Sequence, residues 1–275
     1  MSGPTTATRL FALLGDPVAH SLSPVFQNAA FRAADVDGVY VALRCDDAML
    51  PGLLCGIARA GGGGNITIPH KERAAAAVDV PTDAVRRTGA CNTFWLEGDR
   101  VCGDNTDVAG FRAAASALVG NTAGARALVL GAGGAARAAV FALIEDGADS
   151  VLVLNRSPER AHALRETLGE PTRVRVALDV HAIAGTHFDL VVNATPLGLH
   201  PDDPEPLAFD RIAGAGAVLD LVYAPGETRW VRAARARGIP AADGLEMLLR
   251  QGAAAFERWW GRPAPLDAMR RAIAG

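Results

Sequence analysis

The chain has 275 residues, half of them hydrophobic, a composition that can bury a large core, favours two domains by length and excludes a disordered chain. A net charge of −3 and a pI of about 6.1, with no block of Lys or Arg, exclude a nucleic-acid footprint and leave small molecules as the expected partners. The opening MSGPTTATRLFALLGDP carries one arginine and an apolar run too short for a signal peptide or membrane span, so a cytoplasmic protein without a membrane partner is expected.

Apolar runs of strand length alternate with helix-period segments, which predicts an α/β protein with largely parallel sheets. RLFALLG is a first strand, and SPVFQNAAFRAADV a helix with Ser23 as N-cap before Pro24. GVYVALR, a helix over about 48–60, and a strand at Asn65-Ile66-Thr67-Ile68 follow, the last fed by four glycines and ended by Pro69. A helix from Pro69 places Lys71 in its first turn, the wrong end for a cation by roughly 0.3–1 kcal/mol. NTFWLEGDRVCG reads as a hairpin. A second α/β series begins after GNTAGAR, and a last helix from Leu245, capped by Asp243, puts Leu248, Leu249, Gly252, Phe256 and Trp259 on one face. The four cysteines, Cys45, Cys55, Cys91 and Cys102, form no C-x-x-C pair, and the six histidines show no H-E-x-x-H spacing, so reduced thiols and no metal are expected.

GAGGAA, Gly131 to Ala136, fits G-x-G-x-x-A between the strand ALVL and a helix. Gly131 makes the tight turn, and Gly133 lets the backbone approach a pyrophosphate with Ala132, Gly134 and Ala135 around it. Ala136 keeps helix and sheet close. The next strand ends in Asn155, Arg156 and Ser157, with Arg160 beyond, where an NAD site would carry an acid for the ribose 2′-hydroxyl. Donors and cations in that place predict NADP over NAD.

Open α/β sheets bind ligands at the carboxyl ends of their strands, and polar residues gather at those ends here. Ser21 and Ser23 follow the first strand, Thr67 precedes Lys71, Asn92 and Thr93 open the hairpin, and Asn105-Thr106-Asp107 close it. Each has a structural explanation: an N-cap for Ser23, a turn for Asn92, a helix first turn for Asp107. Lys71 has none, and the joint pattern favours a reaction site.

GDPVAHSLSP, NITIPHK, ACNT, GDNTDVAG, GAGGAARA, NRSPERA, NATPLG, DLVYAP and GLEMLLRQGAAAFERW, in that order from about Leu10 to Trp260, resemble the shikimate dehydrogenase family. The resemblance implies an N-terminal α/β substrate domain joined by the returning C-terminal helix, residues 1–106 and 244–275, and a central Rossmann domain for NADP, residues 107–243. It implies NADPH-dependent reduction of 3-dehydroshikimate to shikimate in aromatic amino-acid biosynthesis. Lys71 and Asp107 would be the catalytic pair, and Ser21 and Ser23 would hold the substrate carboxylate. Thr67, Asn92 and Gln251 would contact ring hydroxyls, Tyr223 would be a further substrate-side residue, and Thr195 and Gly244 would join the cofactor site. Gln27, Cys91 and Glu246 depart from the family's more usual histidine, aliphatic residue and glycine. Quinate or an amino-shikimate remains an alternative substrate, and a silent NADPH-binding sensor an alternative of another class, opposed by the intact Lys71 and Asp107. Monomer and homodimer both stay open.

Overall fold

A computed structural model describes residues 4–200, 202–224 and 226–274. It divides into two compact units, Met1–Thr106 with Leu249–Gly275, and Asp107–Leu248.

The first unit contains β1 (Arg9–Gly15), α1 (Ser23–Ala33), β2 (Gly38–Arg44), α2 (Leu50–Arg59), β3 (Gly63–Ile66), α3 (Lys71–Ala75), β4 (Val80–Pro81), α4 (Asp83–Thr88), β5 (Thr93–Glu97) and β6 (Arg100–Asp104). Its six-stranded sheet runs β2-β1-β3-β5-β6-β4. β1 pairs in parallel with β2 and β3, whereas β5 runs antiparallel to β3 and to β6, the expected hairpin. The strand expected at residues 65–68 lies earlier, at Gly63–Ile66, and the helix expected from Pro69 starts at Lys71. Glycines carry no side-chain period, so Gly63 and Gly64 resemble a connection in the sequence; in the sheet they let neighbouring backbones approach closely. A Cβ at Gly64 would fall 2.0 Å from the Ala12 carbonyl oxygen, and one at Gly62 1.8 Å from that of Leu10.

The second unit contains α5 (Asp107–Val119), β7 (Arg126–Leu130), α6 (Gly134–Glu145), β8 (Ser150–Leu154), α7 (Pro158–Leu168), β9 (Val174–Ala177), β10 (His187–Asn193), β11 (Gly214–Asp220), α8 (Arg229–Arg235) and β12 (Ala241–Ala242). Every pairing in its six-stranded sheet, β12-β11-β10-β7-β8-β9, is parallel, which is the Rossmann order with its switch point between β7 and β10. Its core sets Leu128, Leu130, Phe188, Val191 and Val218 against Trp230, which stacks on Phe209 at 5.6 Å.

The long helix α9 (Leu245–Trp260) begins with the second unit, and its residues from Leu249 onward belong to the first. The boundary therefore falls inside the helix rather than at 244. Its first turn is tied locally: Gly244 N–H donates to the Val222 carbonyl at 3.0 Å, and Leu245 N–H to the Asp243 carboxylate at 3.1 Å, the expected cap. Farther along, Phe256, Trp259 and Trp260 join Phe11, Phe31 and Tyr40 in one aromatic cluster, with Phe11 to Trp259 at 4.9 Å. A further helix, α10 (Leu266–Ile273), follows; it is not expected from sequence, nor is α4, which Thr82 caps. No helix among the described residues is long and apolar enough to cross a membrane.

Candidate active site

In the first unit the carboxyl ends of β1 and β3 lie side by side. Asp16 N–H donates to the Ile68 carbonyl at 2.9 Å and Thr67 N–H to that of Leu14 at 2.9 Å. Gly15 and Thr67 approach so closely that a Cβ on the glycine would sit 2.2 Å from the threonine methyl. Thr67 is thereby placed beside the loop that carries Ser21 and Ser23. Ser23 is not the N-cap: Leu22 holds that position without a side-chain bond, and Ser23 is the first residue of α1. Its own N–H donates to the Ser21 hydroxyl at 3.2 Å, so capping is done from two residues upstream and the Ser23 hydroxyl is spared. Ser21 also lines an open cavity of about 510 Å³ with Asp16, Val18, Pro24, Ala42 and Arg44.

Asn92, expected as a turn or substrate residue, is a buried hub. Its Oδ1 accepts from the Thr106 N–H at 2.7 Å and from the Thr106 and Thr93 hydroxyls at 3.0 Å, while its Nδ2 donates to Gln251 Oε1 at 3.3 Å. The amide is held at both ends, so its orientation is fixed. Behind it Asn65 donates to the Asn92 carbonyl at 3.1 Å and accepts from the Tyr40 hydroxyl at 2.8 Å. Gln251 reaches this cluster because α1 and α9 meet at Gly252, where a Cβ would lie 2.4 Å from the Phe26 ring. Gln27, one of the three departures, fits that contact by donating from Nε2 to the Gly252 carbonyl at 2.8 Å.

Lys71 opens α3, and its carbonyl accepts from the Cys91 N–H at 2.9 Å, joining the lysine backbone to the residue before Asn92. Two neighbours that sequence reasoning passes over stiffen this corner. His70 is buried with Nδ1 2.8 Å from an Asp47 carboxylate oxygen and Nε2 2.8 Å from the Cys45 carbonyl oxygen. Asp104, also buried, accepts from Thr82 at 2.7 Å, from the Asn105 N–H at 2.8 Å and from Arg258 Nε at 2.8 Å, fixing the start of the Asn105-Thr106-Asp107 run. Asp107 itself is the first residue of α5 and 4% exposed.

The cysteines are all free thiols, and no group of three or more potential metal ligands occurs among the described residues. Burial pushes the Cys91 thiol up to about 12, and it donates to the Thr93 carbonyl at 3.2 Å as a neutral group. Burial also raises Cys45 and Cys102. Brief alkylation of the native protein at pH 8 is therefore expected to modify the half-buried Cys55 first and leave Cys91 untouched, read by peptide mass spectrometry; early labelling of Cys91 would contradict its burial.

In the second unit the β7–α6 turn has the shape an anionic pyrophosphate needs. Gly131 has φ +108° and a Cβ there would lie 2.8 Å from the Ala194 carbonyl oxygen. Gly133 is the N-cap of α6 with open space where a Cβ would be. The first turn of that helix, Gly134 and Ala135 included, carries no acid and no side-chain cap, so its N–H groups and positive dipole end are presented without competition. Ala132 and Ala136 are buried beneath.

At the end of β8, Arg156 and Arg160 are exposed cations. Asn155 and Ser157, expected as donors, are already engaged within the loop: Asn155 Nδ2 donates to the Ser157 carbonyl at 2.8 Å, and the Ser157 hydroxyl to Glu159 at 3.1 Å.

Thr195 is held by a hub the sequence does not reveal. Asn193 Oδ1 accepts from the Thr195 N–H at 3.0 Å and its hydroxyl at 2.6 Å, and Asn193 Nδ2 donates to Asp220 at 2.7 Å. Asp220 is fully buried and also accepts from Thr228 at 2.7 Å; burial pushes its carboxyl above the usual carboxylate range. The Asn193-Ala194-Thr195 spacing is a turn signal in the sequence, and Asp220 opens the DLVYAP motif, but nothing in the sequence pairs it with Asn193 or Thr228. Tyr223 follows β11, half-buried. Gly244 has no room for a side chain, since a Cβ would fall 2.2 Å from the Leu221 carbonyl oxygen.

A parallel sheet of Rossmann order, a phosphate-shaped glycine turn and a second strand that leads into Asn155 and Arg156, with no acid at its last residue, define a dinucleotide-dependent oxidoreductase. Comparison with known proteins narrows the class. Residues 13–94 match the family model described as the shikimate dehydrogenase substrate binding domain, 113–197 that of shikimate / quinate 5-dehydrogenase, and 244–274 that of the shikimate 5′-dehydrogenase C-terminal domain. A relative from Moorella thermoacetica, named shikimate dehydrogenase (NADP(+)), is 43% identical over 274 residues, covering 97% of this chain and 93% of that protein. The crystal structure of shikimate 5-dehydrogenase from Thermus thermophilus with NADP(H) and shikimate is 40% identical with a TM-score of 0.84, covering 97% and 100% of the two chains. That of the Listeria monocytogenes enzyme with shikimate and NAD is 28% identical with a TM-score of 0.85, covering 99% of each. The chain belongs to the shikimate dehydrogenase family.

Proposed function

We propose that this chain interconverts 3-dehydroshikimate and shikimate with NADPH and NADP, as a cytoplasmic enzyme of aromatic amino-acid biosynthesis. The observation that carries the reading is the fixed amide of Asn92, bonded to Thr106 and Gln251 one residue from the Cys91 N–H that the Lys71 carbonyl receives. In this reading the Lys71 cation and the hydroxyl-recognising groups act together beside that amide. The Ser21 and Ser23 hydroxyls receive the substrate carboxylate, and Thr67, Asn92 and Gln251 the ring hydroxyls, with Tyr223 as a further substrate-side residue.

NADPH, when bound, supplies a hydride to the substrate carbonyl carbon. Negative charge then develops on the carbonyl oxygen, where the Lys71 ammonium stabilises it and delivers a proton, with Asp107 as the acid that orients the amine. Gly131, Ala132, Gly133, Gly134 and Ala135 bring backbone N–H groups to the pyrophosphate, and Thr195 and Gly244 complete the coenzyme site. Asn155, Arg156, Ser157 and Arg160 surround the 2′-phosphate.

The family description that pairs shikimate with quinate gives a second reading, in which quinate is the better substrate. Steady-state oxidation of shikimate and of quinate, each with NADP and with NAD, separates the two. Fastest turnover is expected with shikimate and NADP; a higher kcat/KM for quinate, or for NAD, would overturn the corresponding half of the proposal.

A further inference from the structure

The end of β8 holds an acid as well as its cations. α7 starts at Pro158 with Ser157 as N-cap, yet the Ser157 side chain makes no capping bond. Its hydroxyl turns instead to Glu159, the second residue of the helix, and donates its proton to Oε2 at 3.1 Å. A serine has one proton to give, and a phosphate dianion offers only acceptors. The Ser157 proton therefore serves either the Glu159 carboxylate or a phosphate, not both. Glu159 also places a negative charge within the segment whose guanidinium groups, Arg156 and Arg160, attract anions.

Resting on the reading that the adenosine 2′-phosphate is held at this strand end, we propose that Glu159 is a specificity-determining residue that restrains affinity for the 2′-phosphate. It does so by occupying the Ser157 hydroxyl and by opposing the phosphate charge. NADPH must displace the carboxylate from Ser157 on binding, and Glu159 takes the hydroxyl back when the coenzyme leaves. NADH, with a ribose hydroxyl in place of the phosphate, meets neither the competition nor the repulsion. The arrangement limits discrimination between the two coenzymes and favours release of NADP after turnover.

The test is a set of equilibrium titrations of NADPH, NADH and adenosine 2′,5′-bisphosphate against the wild-type protein and the variants Glu159→Gln and Glu159→Ala, without substrate. Gln removes the charge but keeps an acceptor for Ser157, whereas Ala removes both. Glu159 is exposed and its charge is screened, so Gln is expected to tighten NADPH and the bisphosphate about threefold at low salt, with the gain shrinking as salt is added. Ala is expected to tighten both further, and neither variant to change the Kd for NADH. Unchanged or weaker NADPH binding in both variants, or an equal gain for NADH, would overturn the role of Glu159. Wild-type protein that binds NADH as tightly as NADPH, and does not bind the bisphosphate, would overturn the placement of the 2′-phosphate and this inference with it. Melting curves of all three proteins verify the fold, and a loss of α7 in Glu159→Ala leaves the Gln variant to decide.

Discussion

Lys71→Met is expected to lower kcat about a thousandfold, with NADPH binding and the melting temperature close to wild type. The size follows from the two tasks given to the ammonium, charge stabilisation and proton delivery, each worth about 10²–10³ or more where it has been removed elsewhere. The stability forecast follows from the local structure. The Lys71 carbonyl accepts the Cys91 N–H, a backbone bond that methionine retains. α3 is only five residues long, and a cation at its first position is disfavoured by roughly 0.3–1 kcal/mol, so methionine removes a small burden there. Steady-state kinetics with coenzyme titration reads the result. Turnover within tenfold of wild type would remove Lys71 from the chemistry.

Asn92→Leu is expected to damage both stability and catalysis. The substitution removes the partner that the Thr106 N–H and the Gln251 carboxamide now share, among residues that are all buried. A buried group left unpaired costs about 1–3 kcal/mol, so a loss of about 2–4 kcal/mol is expected in urea unfolding. Because the same amide orients groups assigned to the substrate, kcat/KM for shikimate should fall by about 10²–10³ with the Kd for NADPH unchanged. Asn92→Asp distinguishes the two functions of the hub: it keeps the acceptor for Thr106 and loses the donor to Gln251. A variant with normal stability and normal kcat/KM would mean that the cluster is incidental to the reaction.

Much of this is legible in the chain because the decisive signals are local. The β7–α6–β8 unit announces itself by a glycine turn between a strand and a helix, and Asp243 caps α9 as its position before the helix implies. Where the signal is a side-chain period, as in β1 and β2, the bounds hold; where the strand is built from glycines, as in β3, the reading slips toward the next β-branched residues. Ser23 reads as a cap because Ser before Pro is the usual pattern, while the fold caps α1 from Ser21. Asp220 and Asp104 stand in the motifs DLVYAP and GDNTDVAG, but their hydrogen-bond partners come from strands and helices that only the fold brings to them. The bond from Asn92 to Gln251 spans 159 positions, a separation no spacing rule covers. Asn155 and Ser157 stand at the strand end as expected, but their engagement within the loop depends on backbone turns that composition does not encode.

In the proposed reaction a hydride moves between the nicotinamide and the carbon that carries the new hydroxyl of shikimate. The most direct measurement is to supply 3-dehydroshikimate with NADPH dideuterated at nicotinamide C4 and to locate the label in the product by NMR. One deuterium per shikimate is expected, on the carbinol carbon formed from the ketone, with NADP released in equal amount. Shikimate formed without deuterium, or coenzyme oxidised with no shikimate appearing, would contradict it.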